Sequence, residues 1–95
     1  MAPIGLLTLH FQLNGCRSLK DKRSQIKPLL ARLHREFNVS AAEVDLHDSL
    51  TGCLISCCVI STDTRHNQQV LHQVLDFCAS HFPEFILLDH RIEQV

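Results

Sequence analysis

The sequence of 95 residues contains neither tryptophan nor tyrosine, and its aromatic side chains are five phenylalanines. No apolar run reaches the roughly 18–20 residues that a membrane-spanning helix needs, so we expect no membrane protein. No basic region precedes the first apolar stretch, which argues against a signal peptide. The sequence also lacks a Cys-x-x-Cys motif. Because we expect neither a membrane span nor a signal peptide, we expect a cytoplasmic protein whose thiols stay reduced.

The chain also lacks an excess of charge of either sign. Its net charge is −1, which by itself argues against a nucleic-acid-binding protein. The distribution along the chain argues differently, because residues 17–35 hold seven of the nine basic residues and a single acid, for a net charge of +6. Residues 36–95 carry a net charge of −7. One segment is therefore strongly basic, a pattern that favours a polyanionic partner.

The order of predicted elements follows from the apolar spacing. Residues 4–13 alternate as in a half-buried strand, and Asn14-Gly15 predicts a turn. A helix is expected after Ser18, whose spacing to Asp21 is close to a capping box. Pro28 should kink this helix or divide it in two, and we favour one kinked helix because the apolar stripe keeps its phase. We expect further strands over residues 38–46, 53–61 and 85–92, and a second helix between the last two, capped by residues 61–63 and stopped by Pro83.

The resulting order, β-α-β-β-α-β, predicts a single α+β domain over residues 1–95. It is the order of the ferredoxin-like two-layer sandwich, in which two helices cover one face of a four-stranded sheet. Right-handed crossovers put the first and third strands in the centre. The cysteine spacing does not suit an iron–sulfur cluster.

The basic residues of the first helix form the main candidate site. At about 100° per residue, Lys20, Arg23 and Lys27 share one flank of the helix. Lys22 falls close to the apolar side and should reach solvent along its aliphatic stem. The free N–H groups after Ser18 also favour an anion. We predict that this segment binds phosphate groups of RNA through Arg17, Ser18, Lys20, Lys22, Arg23, Lys27 and Arg35.

The sheet face opposite the helices forms a second candidate surface. Its positions on the two central strands lack the aromatic side chains on which ribonucleoprotein-type domains stack bases. Several of them are apolar, so a homodimer or a protein partner could cover this face. The predicted interface residues are Leu6, Thr8, His10, Leu54, Cys58 and Ile60.

Catalytic and metal sites find little support, and we predict no catalytic residue, no metal and no cofactor. The seven histidines show no His-x-x-x-His or His-Glu-x-x-His spacing. His10 and His90 have the same parity on strands expected to be neighbours, so they could approach each other on the open face. Cys16 precedes a helix beside Arg17, where a thiol pKa can fall. The other four cysteines fit buried apolar positions. A small acyl-phosphate or phosphate-ester hydrolase of the acylphosphatase type remains an alternative, although the glycine-rich loop of those enzymes is absent.

Three stretches together resemble a known family. They are Ser18-Leu19-Lys20-Asp21-Lys22-Arg23, Phe37-Asn38-Val39-Ser40 running into residues 42–45, and Val59-Ile60-Ser61 followed by an Asp cap. The chain resembles, over its whole length, the YlxP-like family of small bacterial proteins of unknown function. The resemblance implies a ferredoxin-like fold and a bacterial cytosolic protein. Family genes often neighbour those for translation initiation and ribosome maturation factors.

The leading hypothesis from the sequence is therefore a non-enzymatic module that binds ribosomal RNA or a ribosomal subunit through the first helix. The second is a homodimerising or protein-interaction module. The chain departs from the family in the Leu46–Gly52 connection, where many relatives are expected to carry a tryptophan.

Overall fold

The computed structural model describes residues 2–95 as four strands and two helices. The strands are β1 (Ile4–Gln12), β2 (Ser40–Asp45), β3 (Gly52–Ile60) and β4 (Ile86–Gln94), and the helices are α1 (Leu19–Glu36) and α2 (Thr64–His81). The predicted element order is confirmed, and the strand ends differ from the prediction by one or two residues.

The four strands form one antiparallel sheet in the order β2-β3-β1-β4. The first and third strands lie in the centre as predicted, and β2 and β4 are the two edges. This is the ferredoxin-like α+β sandwich. A bulge interrupts the β1–β4 pairing at Leu88, because His10 lies opposite Asp89 and Phe11 lies opposite Leu87. Beyond the bulge β4 pairs regularly through Gln94.

The core lies between one face of the sheet and the two helices. Alternate residues of β1 and β3 are buried, as expected for strands with one covered face. The helices contribute residues at helical spacing. The most deeply buried apolar side chains include Leu7, Leu9, Ile55, Leu29, Leu33, Leu71 and Val74.

Helix α1 runs unbroken across Pro28, so the alternative of two short helices is wrong. Pro28 lies on the exposed side of α1. Because proline has no backbone N–H, one hydrogen bond of the helix is missing there. The apolar stripe on the opposite side holds the helix against the sheet.

Helix α2 packs tightly against the sheet at Gly5 of β1. A Cβ at this position would lie 3.0 Å from Cδ1 of Leu71. The start of the helix is fixed by buried Asn67, which accepts a hydrogen bond from Ser61 Oγ (2.6 Å) and donates one to the carbonyl of Pro3 (3.1 Å). Within residues 2–95, neither helix is long and apolar enough to cross a membrane.

Candidate nucleic-acid interface

The start of α1 is capped by its own side chains. Ser18 Oγ accepts a hydrogen bond from the Asp21 amide (3.1 Å), and Asp21 Oδ2 accepts one from the Arg17 amide (3.2 Å). The predicted cap is therefore confirmed. Because these oxygens occupy two of the donors that a phosphate would use, and because Asp21 adds negative charge, we leave Ser18 out of the proposed interface below.

Five of the seven basic residues in the segment 17–35 form an exposed surface, which we call the basic ridge. Each of its side chains is exposed, and none forms an ion pair within the part of the chain that the structure describes. Lys20, Arg23 and Lys27 fall within about 60° of the helix circumference. The ridge consists of Arg17, Lys20, Arg23, Lys27 and Arg35.

Lys22 does not belong to this surface, and the prediction that it contacts phosphate is wrong. Its side chain is 1% exposed. Nζ lies 3.0 Å from Glu43 Oε2 on β2 and donates a hydrogen bond to the carbonyl of Leu46 (2.6 Å). The stem of Lys22 follows the apolar side of α1 inward to these partners instead of outward to solvent. The helical spacing placed Lys22 close to the apolar side of α1. Its partners could not be predicted, because Glu43 and Leu46 are remote from it in sequence.

The carbonyl that Lys22 holds belongs to a strained residue. Leu46 has a φ of 63°, in the left-handed region that a leucine rarely adopts. Its amide also donates to Asp45 Oδ1 (2.7 Å). Glu43, Leu46 and Lys22 thus tie α1 to the end of β2, a cluster that sequence reasoning missed.

Arg32 is likewise separate from the ridge. Its guanidinium lies 5.1 Å from the centre of the Phe77 ring on α2 and 3.5 Å from Glu36. Arg32 therefore joins the two helices.

The uncovered sheet face, which we call the open face, contains the six predicted interface residues. The β1–β3 register pairs Leu6 with Cys58, Thr8 with Ser56, and His10 with Leu54. The Thr8 and Ser56 hydroxyls lie 3.4 Å apart. Ile60 is 61% exposed, and the other five predicted residues are half-buried.

The proposed approach of His10 and His90 on this face is wrong. The two strands are neighbours, but their register places His10 opposite Asp89 and His90 opposite Leu9. Paired residues share a face of the sheet, so His90 points to the helix side. A shallow cavity of about 370 Å³ lies beside His10, and it is lined also by Thr8, Leu54, Asp89, His90 and Arg91. No group of three or more potential metal ligands occurs in residues 2–95.

Three of the five free cysteines behave as the predicted buried apolar side chains. Burial raises the pKa of Cys57 to about 12 and that of Cys78 to about 11. Burial and then the nearby Glu43 carboxylate raise the pKa of Cys53 to about 11. Cys58 lies half-buried on the open face. Cys16 is half-buried and packs against the core, next to Gly15 with its φ of 83°.

Comparisons with known proteins identify the relatives of this chain. Residues 4–92 match the family described as "Protein of unknown function (DUF503)". The "Uncharacterized protein YlxP" of Bacillus subtilis (strain 168) is 34% identical over 67 residues, which cover 70% of this chain and 72% of the relative. These matches confirm the resemblance drawn from the sequence: the chain belongs to the DUF503 family, whose function is not established.

Proposed function

We propose that this protein is a non-enzymatic RNA-binding module that contacts the phosphate backbone of ribosomal RNA, free or in a ribosomal subunit, through the basic ridge. The supporting observation is that the five ridge cations are exposed and unpaired within residues 2–95. The other two basic residues of α1 are engaged by Glu43 and Glu36. The available charge is therefore concentrated on the solvent side of one helix.

The placement of the phenylalanines favours contacts to phosphates over the stacking of bases. The phenylalanines pack in the core or against one another and His81, and none lies at an open-face position of β1 or β3. Bases therefore lack the stacking platform of ribonucleoprotein-type domains. Contacts from lysine and arginine to phosphates give affinity that depends steeply on salt and weakly on sequence.

The test is binding to purified ribosomal subunits and to ribosomal RNA at salt concentrations from about 50 to 200 mM. We expect the triple variant K20A/R23A/K27A to bind at least tenfold more weakly, and its slope of log K against log salt to be smaller by about 2–3. A matched variant, K20R/R23K/K27R, preserves every charge and should bind within a few-fold of the native protein.

Two outcomes would overturn the proposal. One is the absence of binding at about 50 mM salt. The other is equal binding by the alanine variant and the native protein. R65A removes one exposed charge from α2 and measures the effect of a single unit of net charge outside the ridge. We place this function in the cytoplasm, where the five free cysteines remain reduced.

A second candidate function is association with a protein through the open face. It is favoured by Ile60, whose side chain is 61% exposed at the end of a central strand. Ile4 lies opposite it in the register, so two isoleucines adjoin at this corner of the sheet. A homodimer or another protein could cover them.

A further inference from the structure

The two edges of the sheet differ in how their outward backbone groups are satisfied. At β2, His34 Nε2 accepts a hydrogen bond from the Ala41 amide (3.1 Å), and His47 Nε2 donates to the carbonyl of Glu43 (3.1 Å). Two imidazoles in opposite tautomers therefore occupy outward groups of this edge. Such capping hinders another strand from pairing there, because it occupies one backbone group of each of these two outward residues.

The outer edge of β4 is open by comparison. The Val95 amide donates to the Ile4 carbonyl on β1 (2.9 Å). Because bonding direction alternates along an antiparallel strand, the outward groups beyond the bulge belong to His90, Ile92 and Gln94. Of these, the His90 amide donates to the carboxylate of the adjacent Asp89 (2.9 Å), and no side chain bonds to the amide of Ile92 or Gln94 in the described chain.

The side chains of this segment are complementary to a second copy of themselves. On the open face, Asp89, Arg91 and Glu93 alternate in charge, since they lie opposite His10, Thr8 and Leu6. If two β4 strands pair antiparallel about a two-fold axis at Ile92, residue 91 of each faces residue 93 of the other. Within one copy Arg91 Nε already lies 3.6 Å from Glu93 Oε1. In the pair each Arg91 also meets the Glu93 of the other copy, and each His90 meets a Gln94.

We propose that β4 is a homodimer interface, in which two copies pair antiparallel with Ile92 opposite Ile92 of the partner and join their sheets into one of eight strands. This register uses only the regular part of β4 beyond Leu88, so the bulge does not interrupt it. It forms about six backbone hydrogen bonds from the three outward residues of each copy. It brings the half-buried Ile92 side chains together on the helix side. The proposed dimer does not depend on the proposed RNA binding.

The interface is narrow, so we expect a dimer that forms with rising concentration, with a dissociation constant in the micromolar range of about 1–100 µM. Analytical ultracentrifugation should show the mass rising from 10.8 kDa toward twice that value. A monomer at every concentration up to about 1 mM would overturn the proposal, and would leave extended segments of other proteins as possible occupants.

Charge exchange tests the register. Arg91→Glu places acids at both positions 91 and 93, and Glu93→Arg places bases at both, so each variant alone should dimerise at least tenfold more weakly. An equimolar mixture should form a heterodimer of native affinity, because every facing pair is again opposite in charge. The double variant R91E/E93R should also dimerise normally. If R91E keeps its native affinity, or the mixture stays monomeric, the register is wrong.

Ile60→Lys separates this interface from the open face. Ile60 is the last residue of β3, and β1 separates β3 from β4. The substitution should therefore leave the dimer intact. Loss of the dimer in I60K, together with its persistence in R91E, would assign the association to the open face and overturn the proposal.

Discussion

Lys22 changes its role between the sequence and the structure. In the sequence it is one of seven bases in a basic segment, and in the structure its ammonium group lies inside the protein between Glu43 and the Leu46 carbonyl. Glu43 Oε2 is shielded from solvent, and the ion pair with Lys22 supplies its only close polar partner among residues 2–95. The pair is therefore a structural element of the fold.

We expect Lys22→Met to reduce the free energy of unfolding by about 1–3 kcal/mol, because it leaves the half-buried Glu43 carboxylate, whose Oε2 is shielded from solvent, without its cation. The double variant Lys22→Met/Glu43→Leu should recover more than half of that loss, since it removes both charges. Urea denaturation monitors both variants. Lys20→Met, on the exposed side of α1, should change stability by less than about 0.5 kcal/mol, and equal effects at positions 20 and 22 would contradict this account.

The buried thiols make stability fall at alkaline pH. Cys57 has a pKa of about 12 in the folded chain against 9.0 for an ordinary thiol, and Cys53 and Cys78 have values of about 11. Above pH 9 the unfolded chain loses these protons while the folded chain retains them. The unfolded state then binds fewer protons, so stability decreases as pH rises from about 8 toward 11–12 and is unaffected well below pH 8.

Between pH 8 and 10 each buried thiol should account for a loss of about 1–1.4 kcal/mol in the free energy of unfolding. Cys57→Ala should remove one such share and give a shallower pH dependence, although its stability at pH 7 will be lower because of the cavity. Urea denaturation at several pH values measures the slope. An unchanged slope in the variant would show that burial does not hold this thiol protonated.

At the scale of the elements, periodicity predicted most of the architecture. The alternation in β1 and β3 and the helical stripe of α1 come from local spacing, and so do the Ser18 cap and the stop at Pro83. The three-residue and four-residue spacing across Pro28 correctly indicated a single helix. These features could be predicted because each depends on residues close together in the sequence.

The features that could not be predicted depend on register or on distant partners. Same parity suggested that His10 and His90 share a face, but the actual pairing places residues of opposite parity together, so the two rings lie on opposite faces. Lys22 meets acceptors more than twenty residues away. The histidine caps of β2 join residues 34 and 41, and 47 and 43, across turns whose geometry no local pattern reveals.

The caps of β2 can be removed by substitution. We expect the variant His34→Ala/His47→Ala to associate more than the native protein, because the Ala41 amide and the Glu43 carbonyl become available to another strand. Light scattering during incubation at high protein concentration measures the effect. His34→Gln/His47→Gln should largely preserve the native behaviour, since an amide can both accept and donate. His66→Ala/His72→Ala, at exposed positions of α2, is the matched control, and association equal to that of this control would contradict the capping role.

At the scale of the whole molecule, the basic ridge lies toward the β2 edge of the sheet, and the proposed dimer interface is the opposite edge, β4. Helix α1 packs near β2 and helix α2 packs near β1 and β4. A β4-linked pair would thus carry its two α1 helices on the same side of a continuous sheet, near its two ends. With strands about 4.8 Å apart, the outermost strands of the pair are roughly 34 Å apart. Two ridges on one body would bind a long polyanion with higher avidity than either ridge alone.

The histidine caps of β2 also bear on how many copies the proposed pairing through β4 could join. A sheet with two free edges is a repeating unit that can add copies without end, and its product is a fibre of indefinite length. A sheet with one free edge and one occupied edge can add a single copy, after which both ends of the product carry caps. If two copies pair through β4 as proposed, the imidazole rings at the two outer β2 edges would hinder further strand addition and so limit the assembly to two copies.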